Sequence, residues 1–172
     1  MRIIKVSYAD EVGNHVLTHM IVHSNPSVAI IVRKGGQIAL IKQFRSTTGK
    51  EYIELPAGVI NEGENAVQAA IRETREETGL LVKNVMVLVK GPSLLDPSKS
   101  DEDYGVAVAD VIGEKDRCLD EMEQIDSNII WLSEKEAFEH LRNQMFKGEP
   151  FMDDLFMSGH SLYALMAYML SK

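Results

Sequence analysis

The stretch that most constrains this chain is GVINEGENAVQAAIRETREETGL, from Gly58 to Leu80. Its second half predicts a helix starting near Asn65, a good N-cap residue, with Gln68 three positions on to complete a capping box. Gly79, a natural C′ residue, ends it. At 3.6 residues per turn, Val67, Ala70, Ile71, Thr74 and Thr78 share a mildly apolar face that would dock on a sheet. Glu73, Glu76 and Glu77 share a different face, at i, i+3 and i+4. Like charges at that spacing repel and destabilise an isolated helix, so a cation is expected over them. A hard divalent ion suits the place, because Mg²⁺ takes oxygen ligands and is held by one or two carboxylates together with substrate phosphates. Ala66, Ala69 and Ala70 keep the helix slim beside the acids. Upstream, Leu55-Pro56-Ala57-Gly58 reads as a rigid turn leaving a strand, with a glycine that lets backbone approach closely.

The 172 residues suffice for one domain with a full hydrophobic core. A net charge of −8 disfavours a nucleic-acid polymer or an anionic membrane as partner, since affinity for those rests on basic patches. A small anionic substrate is compatible with it if a bound metal reverses the local field. Cys118 is the only cysteine, which excludes an intrachain disulfide and a cysteine zinc cluster. The opening MRIIKVSYADE lacks the apolar core of a secretory leader, and no apolar run approaches membrane-spanning length. A soluble cytoplasmic protein is the expectation.

In chain order, Arg2 to Tyr8 and His15 to Val22 read as strands joined by a turn at Gly13-Asn14. His15, His19 and His23 recur every fourth residue, as metal ligands on a helix would. The β-branched content of HVLTHMIVH favours ordinary strand histidines instead. Val28 to Arg33 and Ile38 to Phe44 form a hairpin around Lys34-Gly35-Gly36-Gln37. Arg45 after it is either a phosphate or carboxylate fork or a plain surface arginine. Glu51 to Leu55 is the strand that leads into the acidic stretch. Beyond it come strands at Val82 to Val89 and Tyr104 to Ile112, separated by the acidic, two-proline loop Gly91 to Asp103. A short strand follows at Ile129 to Leu132. Ser133 and Glu136 make a capping box for a helix to about Lys147. The tail carries Leu162, Leu165, Met166, Met169 and Leu170 at helical spacing, a core-packing stripe.

Gly58, Glu64, Arg72, Glu73, Glu76, Glu77, Gly79 and Leu80 match the Nudix box, G-x(5)-E-x(7)-R-E-U-x-E-E-x-G-U, where U is bulky and apolar. Thr74 at the first U position is the one departure. At residue frequencies of a few per cent, the fixed positions would coincide by chance in fewer than roughly one chain in a hundred thousand. The chain therefore resembles the Nudix hydrolases. Gln43-Phe44-Arg45, then Glu54-Leu55-Pro56-Ala57-Gly58, with Pro97 downstream of the box, is similar to the ADP-ribose pyrophosphatase branch. Asp96-Pro97-Ser98 departs from the small residue, proline and glycine that are usual in that branch's loop.

The resemblance implies an α/β (α+β) fold in which a mixed sheet is sandwiched between helices. It places an N-terminal β-hairpin extension at residues 1–25, pairing two subunits as a homodimer, and a Nudix hydrolase domain at 26–172. It implies Mg²⁺, with Mn²⁺ as the other candidate, held by Glu73, Glu77, the Ala57 carbonyl and Glu76, the last directly or through water. Arg72 would orient the glutamates. Gly58, Glu64 and Gly79 would be structural, and Arg45, Glu54 and Pro97 would meet the substrate. The implied reaction is hydrolysis of a nucleoside diphosphate joined to another moiety, such as ADP-ribose or a related nucleoside diphosphate sugar, to a nucleoside monophosphate and a sugar phosphate. Metal would neutralise phosphoryl charge and lower the pKa of an attacking water. In the branch the base lies on the proline-bearing loop, which here offers Asp101, Glu102 and Asp103. Glu102 has the longest reach, and the alternative is Glu76 or a metal-bound hydroxide acting without a loop residue. Other Nudix activities, on dinucleoside polyphosphates or damaged nucleoside triphosphates, and a non-catalytic nucleotide sensor are the remaining readings.

Overall fold

The computed structural model describes residues 2–9, 13, 15–23, 25–90, 100–119, 125–126 and 128–172, with backbone alone for 2–9 and 15–23. Strands β1 (Arg2–Ala9) and β2 (His15–His23) form a two-stranded antiparallel sheet of their own, with Arg2 opposite His23 and Ile4 opposite Ile21. The three histidines of β2 thus lie on a strand and not on a helix, as its β-branched content favours. Gly13 takes a positive φ of 86° before β2. Asn14, its expected turn partner, lies outside the described residues.

The second sheet holds β3 (Ser27–Lys34), β4 (Gln37–Arg45), β5 (Lys50–Glu54), β6 (Ala57–Val59), β7 (Leu80–Val89), β8 (Tyr104–Glu114) and β9 (Ile130–Ser133). Its main path runs β5-β4-β3-β8-β7, with β6 beside β3 and β9 beside β4. β3 runs parallel to β8, from Ser27 opposite Tyr104 to Arg33 opposite Asp110, while the other pairings are antiparallel. A strand covered on both faces needs apolar residues on both, which explains the unbroken run Val28 to Val32, all buried.

Alternate residues of β3 enter two cores. Val28, Ile30 and Val32 pack with Ala69 and Ala70 of α1 (Ala66–Thr78). Ala29 and Ile31 join a larger cluster with Ala137 and Leu141 of α2 (Glu134–Lys147) and Ala164, Leu165 and Tyr168 of α3 (Gly159–Leu170). A mixed sheet between helices is the expected architecture. The Ser133–Glu136 capping box and the end of α2 at Lys147 also form as read.

Three expectations change. Ala57 to Val59 is not merely a turn after Pro56: it pairs antiparallel with Ser27 to Ala29. Ile71 does not dock on the sheet but stands 42% exposed, and α1 buries Ala69, Ala70, Thr74 and Thr78 together with Glu73 and Glu77. Small residues inside let the helix approach the sheet closely, and the bulkier isoleucine turns outward. Leu170 is likewise outside the core, at 77% exposure, because α3 ends there.

Candidate active site

The local sequence fixes α1 at both ends. The Asn65 side chain accepts from the N–H groups of Val67 and Gln68, both at 3.0 Å, and Gln68 Oε1 accepts the Asn65 N–H at 2.9 Å. Gly79 closes the helix at φ 74°, and a Cβ there would meet the Lys115 carbonyl. Thr74, at the box position that is usually apolar, is fully buried and donates to the Ala70 carbonyl at 2.7 Å. Bonding back along the helix satisfies its hydroxyl, so a threonine is tolerated inside the packing.

β6 passes directly over the acidic turns of α1. The Ala57 N–H donates to Glu77 Oε2 at 3.0 Å. A Cβ on Gly58 would fall on the Glu73 carboxylate. Arg72 gathers the remaining acids. Its Nε and Nη2 fork onto Glu64 at 2.9 and 2.8 Å, and Nη1 reaches Glu73 at 2.6 Å and Glu76 at 3.0 Å. Nη2 also donates to the Val59 carbonyl at 2.8 Å, tying β6 to the helix. The hydrogen bond from Arg72, then that from the Asn61 N–H, holds the Glu64 carboxyl below its ordinary value against partial burial. The bond to Glu64 first, then those to Glu73 and Glu76, raise Arg72 above its ordinary value.

In front of this wall lies a cavity of about 490 Å³ whose lining includes Arg45, Glu54, Ala57, Gly58, Glu102, Tyr104 and His160. Arg45 is indeed a carboxylate fork: its Nε donates to Glu54 Oε1 at 2.9 Å, and Nη2 takes the other oxygen. Glu77 lies close enough to add to the electrostatic stabilisation of Arg45. The Glu54 side chain is 1% exposed, and His160 Nε2 stands 3.2 Å from its Oε2. Burial pushes the Glu54 carboxyl up, but hydrogen bonds from His160 and Arg45 outweigh it and hold the group below the ordinary carboxylate value. Glu54 is thus the inner anchor of two cleft side chains.

Glu102 lines the cleft, with its N–H bonded to Ser100 Oγ at 3.1 Å and its Oε2 accepting from the Tyr104 hydroxyl at 2.8 Å. Asp103 is fixed to the central strand through its carbonyl, which accepts the Ser27 N–H at 2.8 Å. Pro97 lies outside the described residues. Tyr104 and His160 line the cleft and were not read as site residues from the sequence. Tyr104 stands two positions from Glu102 at a strand start, a period-2 hint that the two share a face. Nothing near His160 in the sequence points to Glu54, which is brought to it only by the packing of α3.

The donor set can be tested against a divalent ion. Glu73 and Glu77 are 6% and 3% exposed, and both carboxylates are fixed, Glu73 by Arg72 at 2.6 Å and Glu77 by the Ala57 N–H at 3.0 Å. All available donors are oxygens, which suits Mg²⁺ or Mn²⁺. Among the described residues no three His, Cys, Asp or Glu side chains are arranged to cage a cation. By donor chemistry Glu73, Glu76 and Glu77 suit a hard divalent ion, whose shell is ordinarily completed by water and substrate phosphates.

Fold and site together define an α/β protein with a sandwiched mixed sheet and an oxygen-rich acidic wall in a polar cleft. The Nudix domain model matches residues 23–155, and the chain belongs to the Nudix family. A protein of Caenorhabditis elegans that carries a nudix hydrolase name is 41% identical over 117 residues, 66% of this chain and 52% of that one. The ADP-ribose pyrophosphatase of Mycobacterium tuberculosis is 34% identical over 127 residues, 73% of this chain and 60% of that one. The chain thus spans roughly half to three fifths of the length of these curated relatives. A crystal structure of an ADP compounds hydrolase superposes with a TM-score of 0.74 over 97% of this chain and 83% of that one, at 20% identity. At that identity the superposition shows the fold.

Proposed function

We propose that the protein is a Mg²⁺- or Mn²⁺-dependent hydrolase of a nucleoside diphosphate linked to a second moiety, with ADP-ribose or a related nucleoside diphosphate sugar as substrate. The observation that carries this reading is the meeting, on one cleft, of the glutamate-backed Ala57–Gly58 wall, the Arg45–Glu54 fork and Glu102. The similarity to ADP-ribose pyrophosphatases supports the substrate class.

Glu73 and Glu77, with the Ala57 carbonyl and Glu76, would hold the ion. When bound, it supplies neutralising charge for the diphosphate and acidifies water. Arg72 keeps Glu73 and Glu76 in place through its Nη1. Arg45, oriented by Glu54 and partly open to the cleft, offers positive charge to the substrate's phosphates. Glu102 is the general base: the water oxygen bonds to phosphorus, its proton passes to a Glu102 carboxylate oxygen, and the bridging P–O bond breaks. A nucleoside monophosphate and a sugar phosphate result. Pro97 would contact substrate from the loop.

Turnover of a nucleotide panel with Mg²⁺ tests the assignment. ADP-ribose or a nucleoside diphosphate sugar should be cleaved fastest. Preference for dinucleoside polyphosphates or nucleoside triphosphates would move the protein to another Nudix activity, and binding without turnover would make it a sensor.

The 1–25 segment is read as a dimerisation element preceding the catalytic domain at 26–172. β1 and β2 form a separate two-stranded sheet, and such a pair is only marginally stable in water by itself. Light scattering at micromolar concentration should give twice the chain mass; a fully active monomer contradicts the dimer.

A further inference from the structure

Two rings of the cleft, those of Tyr104 and His160, have no part in the chemistry above, yet they lie between Glu54 and Glu102. Tyr104 opens β8 and donates its hydroxyl hydrogen to Glu102 Oε2 at 2.8 Å. The Tyr104 and His160 rings are nearly parallel, 16° apart, with centroids 6.2 Å from each other. His160, in the first turn of α3, is held from behind by Glu54 at 3.2 Å. Glu54 also holds Arg45, so a continuous path runs from the Arg45 fork through Glu54, His160 and Tyr104 to Glu102.

We propose that Tyr104 is a positioning residue for Glu102, its ring set by His160, so that Glu102 presents its Oε1 oxygen to the attacking water. The proposal rests on the assignment of Glu102 as the base. A glutamate reaching from a loop has three side-chain torsions, and ordering them costs entropy. A phenol bonded to one carboxylate oxygen fixes the plane of the group and leaves the other oxygen to accept a proton. Burial first, and the Glu102 hydrogen bond second, raise the Tyr104 phenol above its ordinary value. Tyr104 therefore stays protonated in neutral solution and acts as the donor, with Glu102 accepting. Offset stacking against an imidazole keeps the phenol from swinging out of this bond. The alternative is that Tyr104 only fills the cleft wall, its hydroxyl bonding to the nearest acceptor.

The two roles part in a double-mutant cycle assayed with ADP-ribose and Mg²⁺. Tyr104→Phe keeps the ring and removes only the hydroxyl. It should lower kcat about tenfold, with KM changed by no more than about twofold, as expected for losing a hydrogen bond to a charged group. In the Glu102→Gln background the same change should do nothing further, because the group it positions is already gone. His160→Phe, which keeps a ring against Tyr104, should retain more kcat than His160→Ala. Wild-type kcat in Tyr104→Phe, or equal losses in both backgrounds, overturns the proposal and leaves Glu102 as the base. Equal losses in the two His160 variants remove the stacking from the account. Wild-type kcat in Glu102→Gln overturns the base assignment itself, and this proposal with it.

Discussion

The Glu73 carboxylate occupies the space where a side chain at position 58 would begin. Gly58 lies on β6 and Glu73 on α1, fifteen residues apart, and the glycine allows strand and acid to touch. Its role is close approach, since its backbone is not in the left-handed region. Glu73 is 6% exposed and bonded to Arg72, so it has little room to retreat.

Gly58→Ala should therefore displace the Glu73 carboxylate and leave the fold standing. A misplacement of about 1 Å at a reacting centre can cost about 10²-fold in rate. We expect a kcat loss of that order and a raised Mg²⁺ requirement, with a lower melting temperature, because overpacking beside a buried carboxylate costs about 1–3 kcal/mol. Steady-state kinetics across a Mg²⁺ titration, beside a melting curve, checks this.

Glu77→Gln separates the chemistry of the acidic wall from its structure. An amide oxygen can still accept the Ala57 N–H, which now reaches Glu77 Oε2 at 3.0 Å. The substitution removes one charge from a repulsive cluster, so stability should hold or rise slightly. Turnover should fall by about two or more orders of magnitude through loss of an ion ligand. Urea denaturation and kcat measured on the same preparation give both numbers.

Glu54 sets an acid limit on stability. Its folded-state pKa lies below the ordinary value despite burial, because His160 and Arg45 bond to it. A depressed carboxyl contributes stability that is full above the unfolded pKa of about 4.3 and is lost as pH falls through the folded value. Arg45 is 40% exposed and can be rehydrated, so Glu54→Gln should cost about 1–3 kcal/mol at neutral pH. The difference from wild type should shrink as pH falls below about 4. Urea titrations at a series of pH values would show it.

Much of this was legible in the sequence because local rules decide it. Asn65, Gln68 and Gly79 bound α1 through their own backbone contacts, and Ser133 and Glu136 do the same for α2. The resemblance implied that Arg72 orients the glutamates, and i, i+4 geometry accounts for its pair with Glu76, while its pair with Glu64, eight residues back, was not read from the sequence. Other features depend on contacts far apart in the chain. β6 is only three residues long and contains a glycine, too little for a strand pattern, and it exists because β3 offers it an edge. Ile71 looked like a docking residue by hydrophobicity, but close helix–sheet approach selects Ala69 and Ala70. His160 and Glu54 meet only once α3 has packed against the sheet. Pro97 lies outside the described residues.

The central claim is that this cleft cleaves a nucleoside diphosphate linkage with an ion held by the Glu73–Glu77 wall. Incubating the protein with ADP-ribose, with Mg²⁺ or with excess chelator, and separating the products tests it most directly. The account predicts AMP and ribose 5-phosphate in equal amounts with Mg²⁺, and none with chelator. Undiminished cleavage in chelator, or intact ADP-ribose and nucleoside diphosphate sugars with Mg²⁺ and Mn²⁺ alike, would contradict it.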